Sequence, residues 1–364
     1  MKVCHLTTVH PAKDTRIFHK ECATLAKAGH EVVLLVANGP NETDQGVVIV
    51  GVPAFTQSRL KRILRTPGKV YQEALKQDAD VYHFHDPEFL PYALRLKRKG
   101  KIVVYDVHED VPRQILAKYW IPGPVRKLTS WLFERYENYV ASRLSGVVTA
   151  TPFIRDRFLK LNPRTVDVNN YPIVDQFDPP AKGVVKSRSV AYIGGITEVR
   201  GIRELVQALA GTDIRLKLAG KFSPPELQQE LEQEAGWKNV DYLGFLDRQQ
   251  VAQLLAEVQA GMVTLHPIIN YLDALPVKMF EYMAAGIPVV ASNISYWEQI
   301  LKEAEAGIVA DPLDPASVRE AMEVLLADVP KAEKMGKAGR IAIETTFNWG
   351  NEGQKLKGFY NKFR

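Results

Sequence analysis

The 364 residues are 46% hydrophobic and 24% charged, an ordinary globular make-up, and they exceed what one core fills, so two domains of roughly 150–180 residues are expected. The lack of any run of about 18 apolar residues argues against a spanning helix, two lone cysteines, Cys4 and Cys22, argue against a disulfide framework, and the strand-like opening "MKVCHLTTVHP" lacks a signal-peptide core, so the expected compartment is the cytoplasm or the inner face of its membrane. The net charge of +5 is uneven: residues 1–172 hold 26 Lys and Arg against 17 Asp and Glu (+9), and residues 173–364 hold 21 against 25 (−4).

In chain order, strands are expected near 2–8, 31–37, 47–51, 80–84, 101–106, 146–150 and 164–169. Helices are expected near 15–28, 60–77, 88–98, 124–143 and 152–161. Short apolar runs alternating with helical periodicity predict a parallel sheet covered by helices. "NNYPIVDQFDPPAKGVVKSRS" (169–189) breaks the pattern with prolines, lysines and a glycine, a linker. The alternation resumes with strands near 189–193, 214–219, 239–243, 260–265, 287–291 and 307–309. The predicted fold class is α/β: two Rossmann-like, doubly wound domains facing a cleft. Domain bounds are 1–172 for the first, a linker at 173–188, 189–346 for the second, and a last helix, 347–364, packing back across the hinge.

The basic excess lies in "RLKRILRTPGK" (59–69) and "RLKRKGK" (95–101). Such runs suit an anionic membrane surface or a lipid-phosphate acceptor, and equally the solvated faces of two helices. No zinc spacing or RNA-binding signature points to a nucleic-acid partner.

In open parallel sheets ligands bind beyond the carboxyl ends of the strands. Those ends carry "TTVHP" (7–11), "HDPE" (85–88), "DVHED" (106–110), "GGITEVRG" (194–201), "AGK" (219–221) and "HPIINYLDALP" (266–276). Gly194 and Gly195 let a ligand approach the backbone, and Arg200 offers a planar fork to phosphate. The segment is not GxGxxG and no acidic residue closes the following strand, which weakens a nicotinamide reading. Pro276 and Gly286 bound a helix over about 276–285, and Lys278 and Glu281, three apart, share one of its faces. Taken alone that pair is equally a surface ion pair. His83 and His85 stand at i, i+2 with no third metal ligand evident, and Asp78-Ala79-Asp80 matches D-x-D at the wrong sheet end, so no metal site is expected. Asp14 either faces a ligand or caps a helix.

"YIGGITEVRG", "DYLGFLDRQQVAQLLAEVQAGMVTLHP" and "LPVKMFEYMAAGIPVVAS" in this order resemble the nucleotide-sugar domain of family-4 retaining glycosyltransferases of the GT-B fold. "HPAKDTRIFHKECATLAKAGHEVVLL" and "YDVHED" are similar to a bacterial polysaccharide-synthesis branch. The resemblance implies retaining transfer from a nucleotide diphosphate-sugar, UDP by family habit, to a glycan or lipid-linked acceptor, with no cofactor. Glu281 matches the second glutamate of an E-x7-E motif that binds the donor ribose, and Asp273 falls where the first stands. Arg200 replaces a phosphate-binding lysine and Gly195 an arginine, whose contact Lys278 would take over; Lys221 joins the donor set. His108 matches the histidine near the transferred sugar, and Asp14, Arg16, His85, Asp86 and Glu109 are assigned to the acceptor. A nucleotide-sugar epimerase and a non-catalytic sugar-nucleotide-binding protein are the alternatives.

Overall fold

The computed structural model describes residues 1–55, 58–177 and 187–363, with Arg59 and Leu60 described by backbone only. Residues 178–186 of the expected linker, and the Arg59 side chain of the first basic run, lie outside the described residues. The chain divides into two compact units, Met1–Asn170 with Gly350–Arg364, and Tyr171–Trp349.

The first unit carries strands β1 Lys2–Thr7, β2 Glu31–Ala37, β3 Glu42–Asp44, β4 Val47–Val52, β5 Val81–Phe84, β6 Ile102–Val107, β7 Gly146–Thr149 and β8 Thr165–Asp167. Their order is β3-β4-β2-β1-β5-β6-β7-β8, parallel except for β3, an edge strand that the polar "ETD" does not announce. Strand order reverses between β1 and β5, so the site expected for this sheet lies there. The strands read as continuous apolar runs because helices cover both faces. On one face Cys4, Leu6, Tyr82 and Phe84 join residues of the helices Arg59–Gln77, Leu90–Arg98, Gly123–Ala141 and Pro152–Leu159 in one core. On the other face His5 pairs in register with His83, beneath the terminal helix Trp349–Asn361.

The expected helix near 15–28 is π-helical over Thr15–Cys22 and α-helical over Ala23–Lys27. An α-helix turns about 100° per residue and would put Arg16 and Glu21 roughly 140° apart. The i→i+5 pitch places them on one side instead, with Arg16 Nε 3.1 Å from Glu21 Oε1.

The second unit carries β9 Ser189–Ile193, β10 Arg215–Ala219, β11 Val240–Gly244, β12 Ala260–Val263, β13 Val289–Ser292 and β14 Gly307–Ala310. The order β11-β10-β9-β12-β13-β14 is the 3-2-1-4-5-6 arrangement of dinucleotide-binding sheets, reversing between β9 and β12. Alternate residues of β9 feed opposite cores. Val190 and Tyr192 meet Ile202, Leu205 and Met322; Ala191 meets Met279, Phe280 and Trp297. Among the described residues no helix is long and apolar enough to cross a membrane.

Candidate active site

In the second unit the turn after β9 passes through Gly194 at φ +131°. A Cβ there would stand 3.3 Å from Lys278 Nζ and 3.4 Å from an Arg200 nitrogen, so both cations converge on this turn. Arg200 ends a 3₁₀ turn, Glu198–Arg200, and donates to the Gly195 carbonyl at 3.3 Å. Lys278 lies in the helix Val277–Ala284; its stem is half-buried, but its Nζ is enclosed and has no hydrogen-bond acceptor among the described residues. The Nζ sits 3.8 Å from the Tyr192 ring centroid. Burial, and then the Arg200 charge, push the Lys278 pKa well below the usual lysine range, against the pull of Glu281. Glu281 is half-buried one turn further along the same helix. Two basic side chains share this turn, and the buried one has no hydrogen-bonded anion among the described residues, so the site is electrostatically incomplete.

Asp273 lies on the loop before the helix Val277–Ala284. It borders a pocket of about 390 Å³ lined also by Pro267, Leu272, Asn293, Ile294, Ser295 and Tyr296. The loop bearing it is anchored by Trp297 Nε1, which donates to the Ala274 carbonyl at 2.7 Å. Lys221 is exposed and turns toward Phe245, its Nζ 5.4 Å from that ring's centroid. Phe245, 71% exposed, presents a flat apolar face on the loop after β11. That loop adjoins the Gly194 turn through Gly220, whose amide donates to Gly244 while Gly194 donates to Ala219. Sequence reasoning missed Phe245; an aromatic residue directly after a strand-ending glycine was the available signal.

In the first unit the carboxyl ends of β1, β5 and β6 bring one network together around Asp106. Its carboxylate accepts from Arg16 (2.8 Å to Oδ1, 3.2 Å to Oδ2), His85 Nδ1 (3.1 Å) and His108 Nε2 (2.8 Å). Burial opposes the charge, but Arg16 first and then His108 and His85 hold the Asp106 carboxyl well below the usual range. Glu21 is driven the other way, its pKa raised well above the usual carboxylate range by burial and then by Asp106. Burial brings the His85 pKa down to about 4. His85 is therefore neutral at pH 7, donating from Nδ1 to Asp106 and accepting at Nε2 from His5 Nδ1, 2.9 Å away.

Several acceptor assignments change on this geometry. Arg16 is 4% exposed, clamped on Asp106 and on the Val168 carbonyl at 2.6 Å, so it braces the site from within. His85 and Asp86 are each 3% exposed, Asp86 accepting from Thr7 Oγ1 and the Thr8 amide. They lie behind the surface, not on it. Asp14 caps the π-helix, accepting from the Arg16 and Ile17 amides at 2.8 and 3.0 Å. Glu109 is exposed and bonded to Gln114.

At the surface two imidazoles remain, His108 and His10, with ring centroids 5.2 Å apart. His10 was passed over in the sequence although it stands in the first strand-end motif. Its pKa is raised: burial works against the charge, but the bond to Asp14 and the charge of Asp86 outweigh it.

Ligand-type atoms of Glu21, His83, His85 and Asp106 all lie within 4.8 Å of one another. Both Asp106 oxygens are already engaged, and the Arg16 guanidinium supplies the positive charge between the two carboxyls. The cluster reads as a closed ion-pair network.

Two Rossmann-type units, one of them with a pair of basic side chains over a glycine turn at its switch point, define a doubly wound α/β protein. The chain belongs to the glycosyltransferases: residues 15–169 match the family described as Glycosyltransferase Family 4, and residues 175–342 match Glycosyl transferases group 1. It is 26% identical over 337 residues to the D-rhamnosyltransferase WbpZ of Pseudomonas aeruginosa, covering 86% of this chain and 82% of the relative. It is 24% identical over 340 residues to a phosphatidyl-myo-inositol mannosyltransferase of Mycobacterium leprae, covering 88% and 85%. Among solved structures it resembles a sucrose-phosphate synthase from Thermosynechococcus elongatus (TM-score 0.82, 18% identity, 100% of this chain and 98% of that one). Anabaena HepE in complex with UDP and glucose is also similar (TM-score 0.75, 15% identity, 100% of both chains). The fold is GT-B, and the epimerase, binding-protein and dehydrogenase alternatives fall away with these matches.

Proposed function

We propose that the enzyme transfers a hexosyl group from a nucleoside diphosphate-sugar, UDP being the first base to test, to an acceptor hydroxyl with retention of configuration. The process served is the building of a cell-surface polysaccharide or glycolipid, on a glycan or lipid-linked acceptor. The observation that carries this reading is the buried Lys278 Nζ without an anion, beside Arg200 at the Gly194 turn. A diphosphate supplies the missing negative charge, and the same two cations oppose the charge that grows on it as the sugar–phosphate bond breaks. Glu281 is assigned the ribose hydroxyls, Asp273 the sugar hydroxyls, and Phe245 a stacking face for the base. A leaving phosphate oxygen takes the acceptor's proton on the face it departs from, and His108, held by Asp106, is the first unit's candidate for the transferred sugar. Cation charge from Lys278 and Arg200 stands where a divalent metal would otherwise balance the diphosphate, so no metal is required. The groups in the relatives' names, D-rhamnosyl and mannosyl, agree with a hexosyl group.

Calorimetry with UDP-, GDP- and ADP-sugars tests the assignment. Arg200→Ala and Glu281→Ala are each expected to weaken the preferred donor by tenfold to about a hundredfold, the worth of one charge-assisted bond. EDTA is expected to leave the parent titration unchanged. Parent affinity in both variants would refute the site, and loss of binding in EDTA would refute its metal independence.

A further inference from the structure

The helix Gly123–Ala141 is held to its unit by one side only. Ser130, Glu137, Val140 and Ala141 are buried, and Phe133 packs on the core. At about 100° per residue, Val125, Leu128, Trp131, Leu132, Tyr136 and Tyr139 fall on the opposite side. All six are exposed, Leu128 by 57% and Trp131 by 52%. The preceding turn adds Tyr119 and Trp120, exposed by 80% and 67% and packed edge to face. That is a contiguous apolar patch on a folded chain, which marks an interaction surface.

Its charges have been sorted. Both acidic residues of the helix turn inward, Glu137 onto Arg157 at 2.6 Å and Glu134 onto Arg113 at 3.1 Å. Lys127, Arg135 and Arg143 stay exposed. Arg135 stands 5.2 Å from the Trp131 ring centroid and Arg143 3.6 Å from that of Tyr139. In the two basic runs, by contrast, Arg62 is paired with Glu88, Lys101 with Asp78, and Lys97 donates to Ser145.

We propose that the 119–143 face seats the protein in the plane of an anionic lipid bilayer. Leu and Val side chains enter the acyl boundary, Trp and Tyr rings lie at headgroup level, and the cations meet lipid phosphates. A second copy of this chain would set the same cations against each other, a repulsion that an anionic surface turns into attraction. The inference does not rest on the transfer reaction, since it is tested without donor or acceptor.

The experiment is flotation with phosphatidylcholine vesicles, with and without phosphatidylglycerol at one-third of the lipid, read together with tryptophan emission. The parent is expected to float with the anionic vesicles and to shift its emission to the blue. Leu128→Ser, Trp131→Ser and Leu132→Ser combined should lower vesicle partition by at least about tenfold. The melting temperature should hold, because the side chains removed are exposed. Lys127→Glu with Arg135→Glu should lose the preference for anionic vesicles. Equal flotation of the triple variant, or a parent that ignores both vesicle types, overturns the proposal. A parent dimer that the triple variant dissolves, without vesicle binding, would assign the face to a second copy instead.

Discussion

Lys278 decides most of the site's behaviour. In the unfolded chain a lysine titrates near 10.4, whereas burial and Arg200 hold this one well below that in the fold. Between the two values the unfolded state binds more protons, so stability rises with pH up to about 10.4 and is lost as pH falls through the folded value. Lys278→Met removes the buried amine and is expected to raise the melting temperature at neutral pH while donor affinity collapses. A bound diphosphate pulls the Lys278 pKa back up, so at a pH between the free and bound values donor binding by the parent should be accompanied by proton uptake. Calorimetry in buffers of different ionisation enthalpy measures that uptake, and Lys278→Met should abolish it. A parent that binds donor with no buffer dependence would contradict the assignment. The spacing of Lys278 and Glu281 was legible in the sequence, because three residues along a helix always share a face. The isolation of the Nζ was not, because it depends on the Tyr192 ring and the Gly194 turn, remote in sequence. Arg16 shows the same limit. Its motif is visible, but its partners Asp106 and Val168 lie 90 and 152 residues away.

Among the elements, the loop from β9 into the helix Ile202–Ala208 depends on one glycine. Gly201 sits at φ +67°, and a Cβ there would lie 1.8 Å from the Thr264 carbonyl oxygen, backbone that cannot rotate away. Gly211 has a similar φ of +79° and open space around it. Gly211→Ala is expected to cost about 1 kcal/mol from its φ alone, and Gly201→Ala distinctly more. Urea midpoints compare them, and equal shifts would deny the Thr264 contact its role. Apolar runs located the parallel strands because burial on both faces leaves no alternation to misread. β3 escaped because an antiparallel edge strand of three residues needs only a partner, and "ETD" has no strand character of its own. The π-helix escaped because its residues also satisfy an α-helix, and only the i→i+5 pairing of Arg16 with Glu21 separates the two.

For the molecule as a whole, the chain's last segment completes its first unit. Leu356, Phe359 and Tyr360 are buried, Tyr360 Oη stands 2.7 Å from His83 Nδ1, and Glu352 accepts from the Asn169 amide at 2.7 Å. Three such side chains stabilise by about 1.5–3 kcal/mol each, a sum comparable with the whole stability of a domain. Truncation after Trp349 should therefore abolish the cooperative melting of the first unit, read by near-ultraviolet circular dichroism. A truncated chain melting as the parent does would refute this. Tyr360→Phe, which keeps the ring, should cost only about 1 kcal/mol.

By itself the sequence determined the alternation of strands and helices, the strand ends that carry polar residues, and the lysine–glutamate helix, since each follows from local periodicity. Which histidines are sealed behind Asp106 and which reach the surface, why one lysine lacks an anion, and which face of a helix is left bare were decided by tertiary structure alone. Burial and pairing are properties of groups brought together from distant parts of a chain, and no local pattern encodes them.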